Sequence, residues 1–447
     1  MVSPAETLAS SLNLSAFGKA TELKSRIWFT ILALIIYRAG TYIPVPGIDP
    51  VALGAVFKAH TGGILGMFDM FSGGALMRMT IFALGVMPYI TASIIVQLLS
   101  AIVPAFEAMK KEGQSGQVRL NQYSRYLTVV FAFVQAYALA VGLESMSSGM
   151  GGAVIEPGFF FRISTVITLT GGTIFLMWLG EQITARGIGN GVSMIIYAGI
   201  VANLPQAMAQ TLELGRTGAL STWFILFILA LTVGVLAMCV FFERAQRRIL
   251  VNYPKRQVGN KMYGGEASHM PLKLNTSGVI PPIFASSLLL FPLTLASFTN
   301  IQQNGGILAD IVEAISHGKP LYMVLYALMI VFFSFFYTAV VFNPQETAEN
   351  LRKYGGFVPG IRPGNNTADY FDYVLTRLTV LGAFYLVVVC LLPEFMMSRG
   401  AVPFYLGGTS LLIVVSVTID TISRVQSHLI AHQYEGLIKK SKLHKAR

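Results

Sequence analysis

Ten apolar segments of about 17 to 25 residues recur along this chain, near 27–43, 81–103, 123–143, 159–180, 191–209, 220–242, 279–298, 321–343, 374–392 and 403–422. Wound as helices, segments of this length cross roughly 30 Å of hydrocarbon. Lipid offers no water to the backbone, so each must satisfy its own N–H and C=O groups internally. The pattern predicts an all-α polytopic membrane protein with ten transmembrane helices. Composition agrees, since only 12% of the 447 residues are charged, against about a quarter in soluble domains.

Assigning alternate loops to opposite sides places 25 of the 32 lysines and arginines on one side. The other seven are Arg38, Lys58, Arg78, Arg162, Arg216, Lys319 and Arg399. The basic side is expected to be cytoplasmic and to hold both termini. The net charge of +11 is thus topogenic, which argues against nucleic acid as a substrate. The first 25 residues are polar and lack a cleavable signal pattern, so the N-terminus is expected to be mature. The order reads as a cytoplasmic segment 1–25, a five-helix half 26–213, a second half 214–422 and a basic tail 423–447. An odd number of spans per half permits two pseudo-symmetric inverted halves. Three cytoplasmic segments are long: 104–122, 243–277 and 344–373.

Several stretches carry more than span length. In "GVMPYITASIIVQLL" Val86 and Ile90 share a helix face, and Val192 and Ile196 repeat that spacing after "RGIGNG". Pro281 and Pro282 in "SGVIPPIFASS" read equally as a helix start or as a hinge lining a cavity. The loop "ERAQRRILVNYPKRQVGNKMYGGEASHMPLKLN" reads as a basic β-hairpin, with "RILVNY" and "NKMY" extended and "VGN" turning between them. Such a projection fits docking of an acidic protein or RNA phosphate. In "GGFVPGIRPGNN" Arg362 stands between Gly360 and Pro363. The island "GGILGMFDMFSGG", residues 62–74, is too short to span and reads as an interfacial or re-entrant helix.

No HExxH, Walker A or GxSxG occurs, and "GIGNG" lacks the dinucleotide spacing. No enzyme activity and no cofactor are expected. Cys239 and Cys390 lie inside apolar runs and read as packing residues; His428 and His432 lack a third ligand, so no metal is expected. A secondary transporter with a re-entrant half-helix is the alternative, but most span interiors lack the ionisable residues that it needs.

"MFDMFSGGAL", "IFALGVMPYITASIIVQLL", "GEQITARGIGNG", "ERAQRRILVNYPKRQ", "PLKLNTSGVIPPIFASS", "FVPGIRPG" and "VPFYLGGTSLLIVV" together resemble the bacterial SecY family, central subunits of the Sec protein translocation channel. The likeness runs from about Leu23 to the tail. It implies an hourglass of two five-helix halves that passes unfolded secretory polypeptides across the bacterial inner membrane and releases apolar segments laterally into lipid. It places the pore ring on Val86, Ile90, Val192, Ile196, Ile283 and Ile413, with valine at 86 and 192 where isoleucine is commoner. It makes Gly63, Ile64, Leu65, Met67, Phe68, Asp69, Met70 and Phe71 a plug hinged on its glycine pairs, with Asp69 facing water. Thr91, Gln97, Pro281, Pro282 and Phe291 fall on the lateral gate. Arg362 and the hairpin's Arg247, Arg248, Lys255 and Arg256 fall on the loops that receive the ribosome or the SecA motor ATPase. Small membrane subunits, SecE and SecG, signal-sequence-bearing polypeptides and membrane lipids are the further partners implied.

Overall fold

The computed structural model describes residues 21–49, 52–53, 69, 72–150, 154–217, 221–253, 256–258, 261–263, 267–298, 314, 319–399 and 408–445. Its helices are α1 (Thr21–Gly40), α2 (Met87–Ile102), α3 (Pro104–Lys111), α4 (Gln114–Met150), α5 (Phe159–Arg186), α6 (Gly191–Arg216), α7 (Thr222–Arg244), α8 (Ile280–Phe298), α9 (Pro320–Val341), α10 (Pro344–Lys353), α11 (Asn365–Arg399) and α12 (Gly408–Lys445). All but α3 and α10 coincide with the ten expected spans. Among the described residues seven helices are long and apolar enough to cross a membrane, or eight if α2 and α3, bent by 96°, count as one. Aromatic residues such as Phe160 (86% exposed) and Trp223 (82%) stand on their outer faces, as lipid rather than water permits.

Two compact units divide the chain: Met1–Gln206 with Pro292–Val312 and Ile413–Arg447, and Ala207–Phe291 with Glu313–Leu412. In the first, α4 and α5 run antiparallel, tied near both ends. Arg125 forks onto Glu181 at 2.7 and 2.9 Å, and Arg162 meets Glu144 at 2.7 Å through Nε. From 125 to 144 on α4 and from 162 to 181 on α5 is 19 residues in each case. That rise of about 28 Å matches the hydrocarbon thickness, so the pairs stand where two water interfaces would be. The "RGIGNG" stretch is the tight turn between α5 and α6. Asn190 caps α6 by accepting from the N–H groups of Val192 (3.1 Å) and Ser193 (3.3 Å), and the Ile188 N–H reaches Thr30 Oγ1 on α1 at 3.1 Å.

The second span starts later than the apolar run predicts. Residues 81–86 form turns, and α2 begins only at Met87. Gly85 takes φ +57°, and the Ile81 N–H pairs with the Ile43 carbonyl at 3.0 Å, which draws the chain out of a helical path. Likewise, 104–122 is mostly helical: Pro104 starts α3, and Gly113, at φ +75°, ends it before α4. The carbonyl of Ile81 lies against Gly172 of α5 where any Cβ would intrude. Gly172→Val is therefore expected to destabilise the first unit by about 2 kcal/mol or more, read as a lowered thermal midpoint in detergent; an unchanged midpoint would contradict this packing.

In the second unit α7 leads into a nested β-hairpin. β1 (Gln246–Asn252) pairs antiparallel with β4 (Ala267–Lys273), and β2 (Arg256–Val258) with β3 (Lys261–Tyr263). A projecting hairpin is found as expected, but its partners differ. "NKMY" pairs with "RQV", while the "RILVNY" strand pairs with "ASHMPLK". The outer register is selected by burial: Ile249 and Leu272 point into a cluster with Ala348, Val358, Phe371 and Val374, and a one-residue slip would expose them.

Candidate functional site

Two places in the fold gather the expected functional residues. The first surrounds the end of the short apolar island. Of its expected plug residues only Asp69 is described; Gly63, Ile64, Leu65, Met67, Phe68, Met70 and Phe71 lie outside the described residues. Asp69 does not simply face water. It is half-buried, and its Oδ1 accepts the Met77 N–H at 2.7 Å, because the turns after it leave backbone donors without helical partners. Its carbonyl accepts the Gly74 N–H (3.0 Å) and Ser72 Oγ (3.0 Å), and Ser72 Oγ in turn accepts the Leu76 N–H at 3.2 Å.

The glycine pair that follows is clamped as well. Tyr37, fully buried on α1, donates its hydroxyl to the Ser72 carbonyl at 3.2 Å, and Arg38 Nη1 donates to the Gly73 carbonyl at 2.8 Å. Gly73 and Gly74 take φ +71° and +82°, and a Cβ on Gly73 would sit 2.9 Å from the Gly199 Cα of α6. Motion at the expected Gly73–Gly74 hinge therefore requires breaking these contacts. Tyr37, Arg38 and Gly199 are anchoring residues that sequence reasoning missed. No local pattern marks them, since each lies on an ordinary apolar helix. Arg38 and Arg78 also flank the Tyr42 ring, at 5.0 and 4.3 Å from its centre.

The expected ring residues are placed as follows. Val86, Ile90, Ile196 and Ile413 are buried, and Val192 and Ile283 are half-buried. Val86 ends the turns before α2 and accepts the Ile90 N–H at 3.1 Å, so the two branched side chains are held one helical turn apart. Ile283 lies in the second unit and the other five in the first. Of the gate residues, Thr91 is buried and donates to the Met87 carbonyl at 3.1 Å. Gln97 Nε2 reaches Ser93 Oγ at 3.5 Å, while its Oε1 is buried with no hydrogen-bond partner among the described residues. Pro281 and Pro282 are buried in the first turn of α8, which is where proline starts a helix. Phe291 belongs to α8, with its side chain outside the described residues.

The second place is the basic projection. Arg247 and Arg248 are exposed on β1, and Arg256 lies on β2, its side chain outside the described residues; Lys255 also lies outside them. Arg362 is exposed on a turn prepared by Gly360 at φ +83°. Thr367 Oγ1 donates to its carbonyl at 2.9 Å, which ties the turn to the start of α11. The structure brings this turn to the hairpin through a reciprocal bridge: the Asn252 N–H bonds the Phe357 carbonyl at 2.9 Å and the Phe357 N–H the Asn252 carbonyl at 3.0 Å. Two loops far apart in sequence are thus joined, and both pack on the apolar cluster around Phe371.

The family model for SecY matches residues 80–422. The protein translocase subunit SecY of Rickettsia typhi is 58% identical over 424 residues, covering 95% of this chain and 98% of that protein. Its namesake in Escherichia coli K12 is 54% identical over 429 residues, covering 96% and 97%. A solved protein conducting channel superposes with a TM-score of 0.65 at 19% identity, covering 91% of this chain and 92% of its own. The Sec61 channel of a canine ribosome-channel complex from the endoplasmic reticulum gives 0.61, also at 19% identity and with the same coverage. These structures share the fold, and none of the comparisons supports the secondary-transporter alternative. With high identity along nearly its whole length, this chain, a multi-pass membrane protein, belongs to the SecY family.

Proposed function

We propose that this chain forms a protein-conducting channel, passing unfolded polypeptides through the bacterial inner membrane and letting apolar segments leave sideways into lipid. The observation that carries this reading is the 58% identity to a protein translocase subunit over 95% of the chain, together with a helix at each of the ten expected spans. The pore ring is assigned to Val86, Ile90, Val192, Ile196, Ile283 and Ile413. Branched aliphatic side chains suit that task, because a narrow apolar constriction disfavours water and ions and holds no charge to retain a passing peptide. The island at 62–74 is the plug, anchored at its C-terminal end.

In this reading the two halves of five helices are inverted relative to each other. Thr91, Gln97, Pro281, Pro282 and Phe291 belong to the lateral gate, where an apolar segment gains free energy on entering hydrocarbon and a polar one does not. The basic side is cytoplasmic, and the joined surface of Arg247, Arg248 and Arg362 receives the SecA motor ATPase or the ribosome. That partner supplies the work, and the channel itself hydrolyses nothing. SecE and SecG complete the membrane complex.

The test is reconstitution of the chain with SecE, SecG and SecA in proteoliposomes. A secretory precursor is expected to become protease-protected only when ATP is supplied. Protection that never exceeds that of protein-free vesicles would overturn the assignment.

A further inference from the structure

A pocket unrelated to the channel features lies within the first unit, where the start of α1, the α5–α6 turn and α12 meet around a volume of about 370 Å³. This falls in the range of small-ligand sites, about 300–1,000 Å³. Its lining joins Arg26, Arg424 and His428 to Ser427, Thr184 and the turn Gly187–Gly189. Among the described residues no carboxylate lines it. Glu22 and Asp420 each pair with the arginine one turn along their own helix, at 3.0 and 2.9 Å. Those pairs use Nε and Nη2 of Arg26 and Nε of Arg424, so among the described residues guanidinium N–H groups remain for a ligand on both.

The hydroxyls are already committed. Ser427 Oγ donates to the Ser423 carbonyl (2.9 Å), and Thr184 Oγ1 donates to the Gly180 carbonyl (2.8 Å) while accepting the Gly191 N–H (2.8 Å). Recognition therefore falls to the Arg26 guanidinium of α1 and to the Arg424 guanidinium and His428 imidazole one turn apart on α12, a set that selects an anion with several oxygens. The site is also preorganised. Leu23, Ile188 and Leu429 form a buried cluster beside it with Ile27 and Val425 packed on them, and the turn is tied to Thr30. Arg26 precedes the first apolar run and Arg424 follows the last, which puts the pocket at headgroup depth.

We propose that this pocket binds a phosphate group, carried by a phospholipid headgroup or by a soluble phosphate. The test uses the full chain in mild detergent with two probes, phosphatidylglycerol followed by native mass spectrometry and inorganic phosphate followed by calorimetry. The double variant Arg26→Gln/Arg424→Gln is expected to bind about tenfold more weakly, while Arg119→Gln, a basic residue outside the pocket, behaves as wild type. A loss confined to phosphatidylglycerol identifies the lipid source, and a matching loss of phosphate binding identifies the soluble one. Equal affinities of wild type and double variant for both probes would overturn the site. If the double variant loses its helical circular dichroism, His428→Ala is read instead, with about a threefold weakening expected; no change there overturns the proposal equally.

Discussion

Arg362→Glu is expected to lower motor-driven translocation roughly thirtyfold while leaving the complex assembled. The side chain is exposed, and the turn beneath it is held by backbone contacts that a glutamate does not disturb: Thr367 Oγ1 on the residue's own carbonyl and the Asn252–Phe357 bridge. Folding should therefore be unaffected. A guanidinium on a rigid turn can grip a carboxylate or phosphate with two parallel bonds, and losing a charge-assisted contact of this kind costs about 2 kcal/mol. Reversing the charge adds repulsion. Arg362→Lys keeps the charge but not the fork, so an intermediate rate is expected. Translocation into vesicles, with SecE co-purification as the assembly control, measures both. Wild-type rates for Arg362→Glu would remove this residue from the proposed docking surface.

Gly73→Ala is expected to open the resting channel to ions. Its φ of +71° costs a residue with a Cβ about 1 to 2 kcal/mol. The added carbon would also stand 2.9 Å from the Gly199 Cα and 3.0 Å from the Tyr37 hydroxyl, and such crowding typically costs another 1 to 3 kcal/mol or so. The turn has to shift, and with it the bonds from Tyr37 and Arg38 that anchor the end of the proposed plug. Gly74→Ala is a useful contrast. It shares the positive φ, at +82°, but its Cβ would meet nothing closer than Asn203 Oδ1 at 3.6 Å. Conductance in planar bilayers should rank Gly73→Ala above Gly74→Ala, and both above wild type. Equal conductance for all three would show that this turn does not hold the seal.

Much of the architecture was legible without coordinates. A helix lies at each of the ten apolar runs, seven or eight of them long and apolar enough to cross a membrane among the described residues, and the hairpin and the exposed Arg362 stand where their local chemistry puts them. Misreadings cluster where a distant partner intervenes. The apolar run at 81 continues into Met87 without a polar break, yet 81–86 is not helical, because Ile43 lies beside it to take its N–H. Asp69 looked like a water-facing charge until the turn at Met77 supplied a half-buried donor.

What the sequence by itself determined is the set of spans, the asymmetry of basic charge and the family. Span length and loop charge are local quantities, and the bilayer reads them one window at a time. The tertiary structure alone decided that "ASHMPLK" rather than "NKMY" pairs with "RILVNY", that the hairpin and the Arg362 turn are joined, and that the second glycine pair is clamped. Each of these depends on which groups from remote parts of the chain can bury apolar area or pair backbone donors together, and no single stretch carries that information.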